Sequence, residues 1–233
     1  MILLFGGTTE GKMACKILDF INEPYFYSTK TTSNINIEGT VVSGGMDAKQ
    51  IVVFCKRENI KLIIDAAHPF AVNLHKNIIT ASKSLQIQTI RVERSYPNLT
   101  NSENIRLFNS YAEINKEIKK SSFKNILFLT GVQTIRHFKN LNKKKSCFFR
   151  ILDTELSREK AKNTGISPEY IFPMQPKNSV PQLLKLTKQL NAELLISKES
   201  GTSGFFMCKQ KAAEQLNIPL WVVKRPKLPE YNF

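Results

Sequence analysis

Three short runs in this 233-residue chain carry side chains and backbone that could do chemistry. The first is Gly6-Gly7-Thr8-Thr9-Glu10-Gly11-Lys12. Adjacent glycines let backbone N–H groups approach an anion closely, and a helix opening there adds favourable partial charge. The run is not the dinucleotide fingerprint, because Thr8 stands where the second motif glycine belongs. It approaches an NTPase phosphate loop, with Gly6, Gly11 and Lys12 in place. Met13 follows, however, where magnesium chemistry needs a Ser or Thr hydroxyl. A ligand-free glycine turn is a further reading; a nucleotide-phosphate cradle of another type is preferred.

The second run is Asp65-Ala66-Ala67-His68-Pro69. His68, held tightly by Pro69, could hydrogen-bond a cofactor or substrate or relay a proton. Asp65 either orients that site or caps the next helix. The third run is Lys198-Glu199-Ser200-Gly201, with Lys209 one turn inside the helix that follows. Such a loop suits a carboxylate or phosphate. Two smaller groups complete the set. Ser28-Thr29-Lys30-Thr31-Thr32-Ser33 is rich in hydroxyls and carries Lys30 rather than an acid, which suits a ribose 2′-phosphate. Arg91 and Arg94 could pair with carboxylates.

These residues are useful only if elements bring them together. Ile2–Phe5, Tyr25–Thr29, Thr40–Ser43, Lys61–Ala66 and Gln88–Val92 read as strands. Helices are expected from Thr8 or Thr9 to Ile21, from Asp47 to Glu58 and over Phe70–Leu85. Ala14, Ile17, Leu18 and Ile21 are expected inward on the first. The rhythm repeats, with strands at Ile105–Phe108, Asn125–Thr130, Cys147–Ile151, Tyr170–Pro173, Glu193–Ser197 and Pro219–Val223. Helices are expected at Ala112–Lys120, Thr134–Leu141, Val180–Leu190 and Phe205–Leu216. Alternation of this kind predicts α/β structure with parallel sheets. Ligands bind such sheets outside the carboxyl ends of the strands. Every run above lies there, and so does Gly131.

The chain carries 34 Lys and Arg against 19 Asp and Glu, so its partners should be anionic. The excess is uneven: 11 against 8 up to Pro97, and 23 against 11 from Asn98 onward. The polar stretch Asn98–Asn104 marks a boundary, giving domains 1–97 and 98–233. Lysines are diffuse and not interleaved with an aromatic recognition surface, which argues against a nucleic-acid-binding protein. Cys15, Cys55, Cys147 and Cys208 have neither metal-ligand nor redox spacing, so no metal site is expected. No apolar run approaches a membrane span, and the N-terminus does not read as a signal peptide, so a cytoplasmic protein without a membrane partner is expected.

Six blocks in order resemble the precorrin-6A reductase family of cobalamin biosynthesis: Gly6–Lys12, Asp65–Ala71, Arg91 and Arg94 leading to Pro97, Leu129–Gly131, Ser197–Gly201 with Lys209, and Val223–Pro226. The resemblance covers nearly the whole chain. Ala67 and His75 depart from it, standing where the family commonly has hydroxyl residues, and Pro176 stands where it often has glycine. The resemblance implies two Rossmann-like parallel-sheet domains with the active site in the cleft between them. It implies NADPH-dependent reduction of one double bond in precorrin-6A or, by preference, cobalt-precorrin-6A. NADPH would contact Gly6, Gly7, Thr8, Thr9, Glu10, Ser28, Lys30, Asp65, His68 and Pro69. The carboxylate-rich tetrapyrrole would contact Arg91, Arg94, Gly131, Lys198, Glu199, Ser200, Gly201 and Lys209. His68, Lys198 and Ser200 would serve catalysis. Transient contacts with other enzymes of that pathway are also expected.

Overall fold

A computed structural model describes residues 1–31, 35–100, 103–175 and 177–228. Thr32, Ser33, Asn101, Ser102 and Pro176, used in the sequence reading, lie outside them. Backbone contacts divide the chain into two units: Met1–Arg94 with the tail from Pro226, and Ser95–Arg225. The sequence reading put the boundary at Pro97 and the tail in the second half.

The first unit runs β1 (Ile2–Phe5), α1 (Thr9–Phe20), β2 (Tyr25–Thr29), β3 (Thr40–Ser43), α2 (Ala48–Arg57), β4 (Leu62–Asp65), α3 (Val72–Leu85) and β5 (Gln88–Arg91). Its sheet is parallel throughout, in the order β3-β2-β1-β4-β5. Parallel strands need crossovers, and those helices bury both faces. Ile2 and Leu4 therefore pack with Ala14, Cys15 and Leu18. Leu3 and Phe5 pack with Ile51, Phe54 and Ile78 on the other face. Each Leu, Ile or Phe among them contributes about 1.5–3 kcal/mol on burial. In α1 the structure corrects the expected inward face. Ile17 and Ile21 are exposed, and the buried stripe is Gly11, Ala14, Cys15 and Leu18. Small residues let the helix sit close: a Cβ on Gly11 would stand 2.9 Å from the Gly6 Cα.

The second unit runs β6 (Ile105–Phe108), α4 (Tyr111–Lys120), β7 (Asn125–Phe128), β8 (Ser146–Ile151), α5 (Glu155–Lys162), β9 (Ile171–Pro173), α6 (Val180–Gln189), β10 (Leu194–Lys198), α7 (Phe206–Leu216) and β11 (Leu220–Val223). Its parallel sheet has the order β6-β11-β10-β7-β8-β9. The helix expected at Thr134–Leu141 is instead two 3-10 segments, Val132–His137 and Lys139–Lys143. The buried apolar residues there, Ile135, Phe138 and Leu141, recur every third position, which is the 3-10 period. Sequence reading missed α5, whose Glu-Leu-Ser-Arg-Glu-Lys-Ala-Lys has no apolar stripe. It is held by its N-cap, where the Thr154 hydroxyl accepts from the Ser157 amide at 3.3 Å. All four cysteines are buried thiols. Among the described residues no helix is long and apolar enough to cross a membrane.

Strand order reverses between β1 and β4 in one unit and between β7 and β10 in the other. Loops leaving these strands diverge to opposite sides and open a crevice at the carboxyl edge.

Candidate functional site

At the first crevice Gly6 and Gly7 leave β1. A Cβ on Gly6 would fall 2.1 Å from the ring of Tyr27, so the tyrosine excludes any larger residue. Gly7 is left-handed at φ +86°, and its Cβ direction meets open space. Its N–H donates to the Tyr27 hydroxyl at 2.9 Å. Thr8 is the N-cap of α1 and does two jobs. Its hydroxyl accepts from the Gly11 amide at 2.9 Å and donates to the Ala66 carbonyl at 2.6 Å, tying the β1 exit to the β4 exit. The amides of Thr8 and Thr9 have no acceptor among the described residues. Two free amides at a helix N-terminus beside an open left-handed glycine fit a phosphate.

Acids and bases around this loop are matched to each other. Glu10 is buried and accepts from Arg94 at 2.7 Å. Asp65, fully buried, accepts from Arg91 at 2.7 Å, from His75 Nδ1 at 2.6 Å and from the Ala67 amide at 3.0 Å. Arg91 also donates to the Asp65 and Ala67 carbonyls, at 2.9 and 3.0 Å. The side chain expected to face substrate is thus directed into its own unit. His75 was not singled out for any role, yet it is a keystone. Its Nε2 lies 3.0 Å from the His68 carbonyl, which can only accept. The ring therefore bridges the Asp65 carboxylate and the His68 carbonyl through its two nitrogens. The Asp65–His75 pair thereby holds the His68–Pro69 turn. His68 itself is half-buried, and its Nδ1 accepts from the Phe70 amide at 3.2 Å. That bond leaves Nε2 to carry the proton of the neutral ring. Pro69 is buried. At the β2 exit the Ser28 carbonyl accepts from the Gly6 amide at 2.9 Å, and Lys30 is exposed.

The second crevice is built differently. Lys198 ends β10, and burial pushes its ammonium down to about 8. Glu199 faces away, accepting from the Arg225 amide at 2.8 Å. Gly201 is left-handed at φ +65° and turns the chain toward α7. Ser200 is buried, and its hydroxyl accepts from Lys209 Nζ at 3.2 Å and donates to the Gly204 carbonyl at 3.2 Å. Lys209 is only 6% exposed. Burial first, then the charges of Arg150 and Lys198, push it down to about 7. Gly131, left-handed after β7, accepts from the Thr134 hydroxyl at 2.7 Å. Lys198, Ser200 and Lys209 are thus brought together as the sequence implied. Arg150 joins them unforeseen, from the penultimate position of β8. Its one signal in sequence was a charge interrupting the apolar run Cys147–Ile151. Among the described residues no group of three His, Cys, Asp or Glu side chains could hold a metal.

Two doubly wound parallel α/β units, each with a loop at its switch point, define a protein of the Rossmann-like class. The model of the precorrin-6x reductase CbiJ/CobK family matches residues 1–233, and the chain belongs to that family. It is similar to the cobalt-precorrin-6A reductase of Methanocaldococcus jannaschii, at 28% identity over 97% of this chain and 91% of that one. Similarity to the Salmonella typhimurium cobalt-precorrin-6A reductase is 24%, over 97% and 87%. Among solved structures, a CobK precorrin-6A reductase superposes with a TM-score of 0.79, at 20% identity, over 98% of this chain and 89% of that one.

Proposed function

We propose that the chain reduces one ring double bond of cobalt-precorrin-6A to give cobalt-precorrin-6B, in cobalamin biosynthesis, with NADPH as reductant. The observation that carries this reading is the full-length family match, to relatives named cobalt-precorrin-6A reductase. When bound, the dihydronicotinamide supplies a hydride to one carbon of the double bond while a proton goes to the other. This chain's residues bind and orient. The Thr8 and Thr9 amides take a phosphate of the cofactor, and Lys30 and Ser28 take its ribose end. Asp65, His75 and Arg91 keep the His68 turn fixed beside that loop. Lys198, Ser200 and Lys209 meet carboxylates of the macrocycle. The cobalt ion belongs to the substrate.

The test is loss of the reduced-nicotinamide absorbance when cobalt-precorrin-6A is added to enzyme and NADPH, with the product followed by mass. A product heavier by two hydrogens is expected. An unchanged macrocycle under anaerobic conditions, with both NADPH and NADH tried, overturns the reading.

A further inference from the structure

Burying a cation without an anion is costly, and side chains so placed are usually paired. In the second unit that rule is broken. Arg150 reaches no acceptor among the described residues, and its Nε is buried without a hydrogen bond. Lys209 has one neutral partner, Ser200, for three N–H donors. Both line a cavity of about 30 Å³ together with Lys177. Ser179, the N-cap of α6, lines it too, so the positive end of that helix faces the same space. No Asp or Glu is among the described lining residues, and Leu129, Met174 and Leu183 make part of the wall apolar. About 10–15 Å³ of such space holds one water molecule, so the cavity admits the head of a small anion and not a ring system.

We propose that Arg150 and Lys209, with Lys177 and the start of α6, form a subsite for one carboxylate at the end of a substrate side arm. This rests on the proposed function for its substrate, and on the cavity alone for its chemistry. A carboxylate entering there meets a planar guanidinium suited to bidentate pairing, and low-polarity walls that strengthen the attraction. Burial of both cations, which lowers the proton affinity of each, shows how poorly they are compensated in the free protein. Retaining them costs stability, which is the mark of a binding residue rather than a structural one.

Arg150→Gln in the full chain is the test, with binding and melting measured together. Affinity for cobalt-precorrin-6A is expected to fall about 10- to 100-fold, the range for a lost charge-assisted bond. Affinity for NADPH should not change, and the melting temperature should stay level or rise. Arg150→Lys should recover part of the affinity, and Lys209→Met should reproduce the loss independently. Cobyrinic acid, a polycarboxylate corrin, serves as a second probe beside its methyl ester. The acid should be sensitive to Arg150, and the ester insensitive. Unchanged affinity for the macrocycle in both Arg150→Gln and Lys209→Met overturns the subsite. So does equal weakening of acid and ester, or a clear fall in melting temperature with binding intact. Inorganic phosphate binding as tightly as cobyrinic acid, and lost in Arg150→Gln, overturns the assignment to a substrate arm. If the parent chain binds cobyrinic acid through Arg150 yet reduces nothing, the proposed function fails while the subsite stands.

Discussion

Basic side chains gather at the strand exits of both units, but their company differs. In the first unit Arg91 and His75 share Asp65, and Arg94 has Glu10. In the second, Arg150 has no acceptor among the described residues and Lys209 has only a serine hydroxyl. A paired charge is compensated within the fold and holds a shape. An uncompensated one lowers stability until an anion arrives. The first set therefore reads as scaffold for the glycine loop and the His68 turn, and the second fits the proposed carboxylate subsite. Composition agrees, since most of the chain's positive excess lies after Pro97.

The sharpest way to break this comparison is to remove a scaffold partner. His75→Leu leaves Asp65 short of one partner in a fully buried site, and should cost about 3 kcal/mol in urea unfolding. Arg150→Gln should cost nothing. If the two variants unfold alike, the distinction between scaffold and subsite is wrong. Next comes Gly7→Val. At φ +86° with open space around it, the new side chain meets strain and no clash, a cost of about 2 kcal/mol. The protein should keep a native circular dichroism spectrum and lose NADPH binding in calorimetry. A folded variant that still binds NADPH tightly would make the loop a plain turn.

How much of this could be read before the fold was known depended on where the partners lay. Apolar runs ending in glycine, as at Phe5-Gly6-Gly7, announce a strand and its exit within a few residues. The order of strands and most of the helices followed from such local signals. The 3-10 segments did not, because Ile135, Phe138 and Leu141 recur at three where either helix type was plausible. The α1 face was misread because Ile17 and Ile21 outweigh Gly11 in hydrophobicity, while closeness to Gly6 decides the packing. His75 and Arg150 were illegible for a deeper reason. Asp65 reaches His75 from ten positions away, and Lys209 approaches Arg150 from a helix on the far side of four further elements in sequence. Type and spacing cannot show a missing partner, and absence of one is what marks Arg150.

A smaller effect sharpens the cofactor side. Lys30 is exposed at the β2 exit, and no acid follows the strand before Glu38. Lys30→Glu should weaken NADPH by about 1.5 kcal/mol, the low end for a charge-assisted bond because water screens it. NADH affinity should hardly move. Equal affinity of the parent protein for both cofactors removes the basis for this assignment.

The smallest expected effect is in the pH dependence of the ligand-free protein, and its sign is unusual. Lys209 is held near 7 by burial and by the charges of Arg150 and Lys198, and Lys198 near 8 by burial. In the unfolded chain both titrate near 10.4. Between about pH 7 and 10 the unfolded state therefore binds more protons, and stability rises with pH. The buried thiols of Cys55 and Cys147 act oppositely. Their proton affinities are raised, to about 11 and about 12, so their contribution falls away above the ordinary thiol range. The melting temperature should thus climb by about 2–4 °C from pH 7 to 9 and then turn over. Lys209→Met should flatten the climb, whereas Lys30→Glu should not. Affinity for a polycarboxylate corrin should move the other way, declining as Lys209 and Lys198 lose their protons over the same range. A ligand-free protein that loses stability steadily from pH 7 to 9 would place Lys209 among compensated charges, and the contrast between the two units would then rest on Arg150 alone.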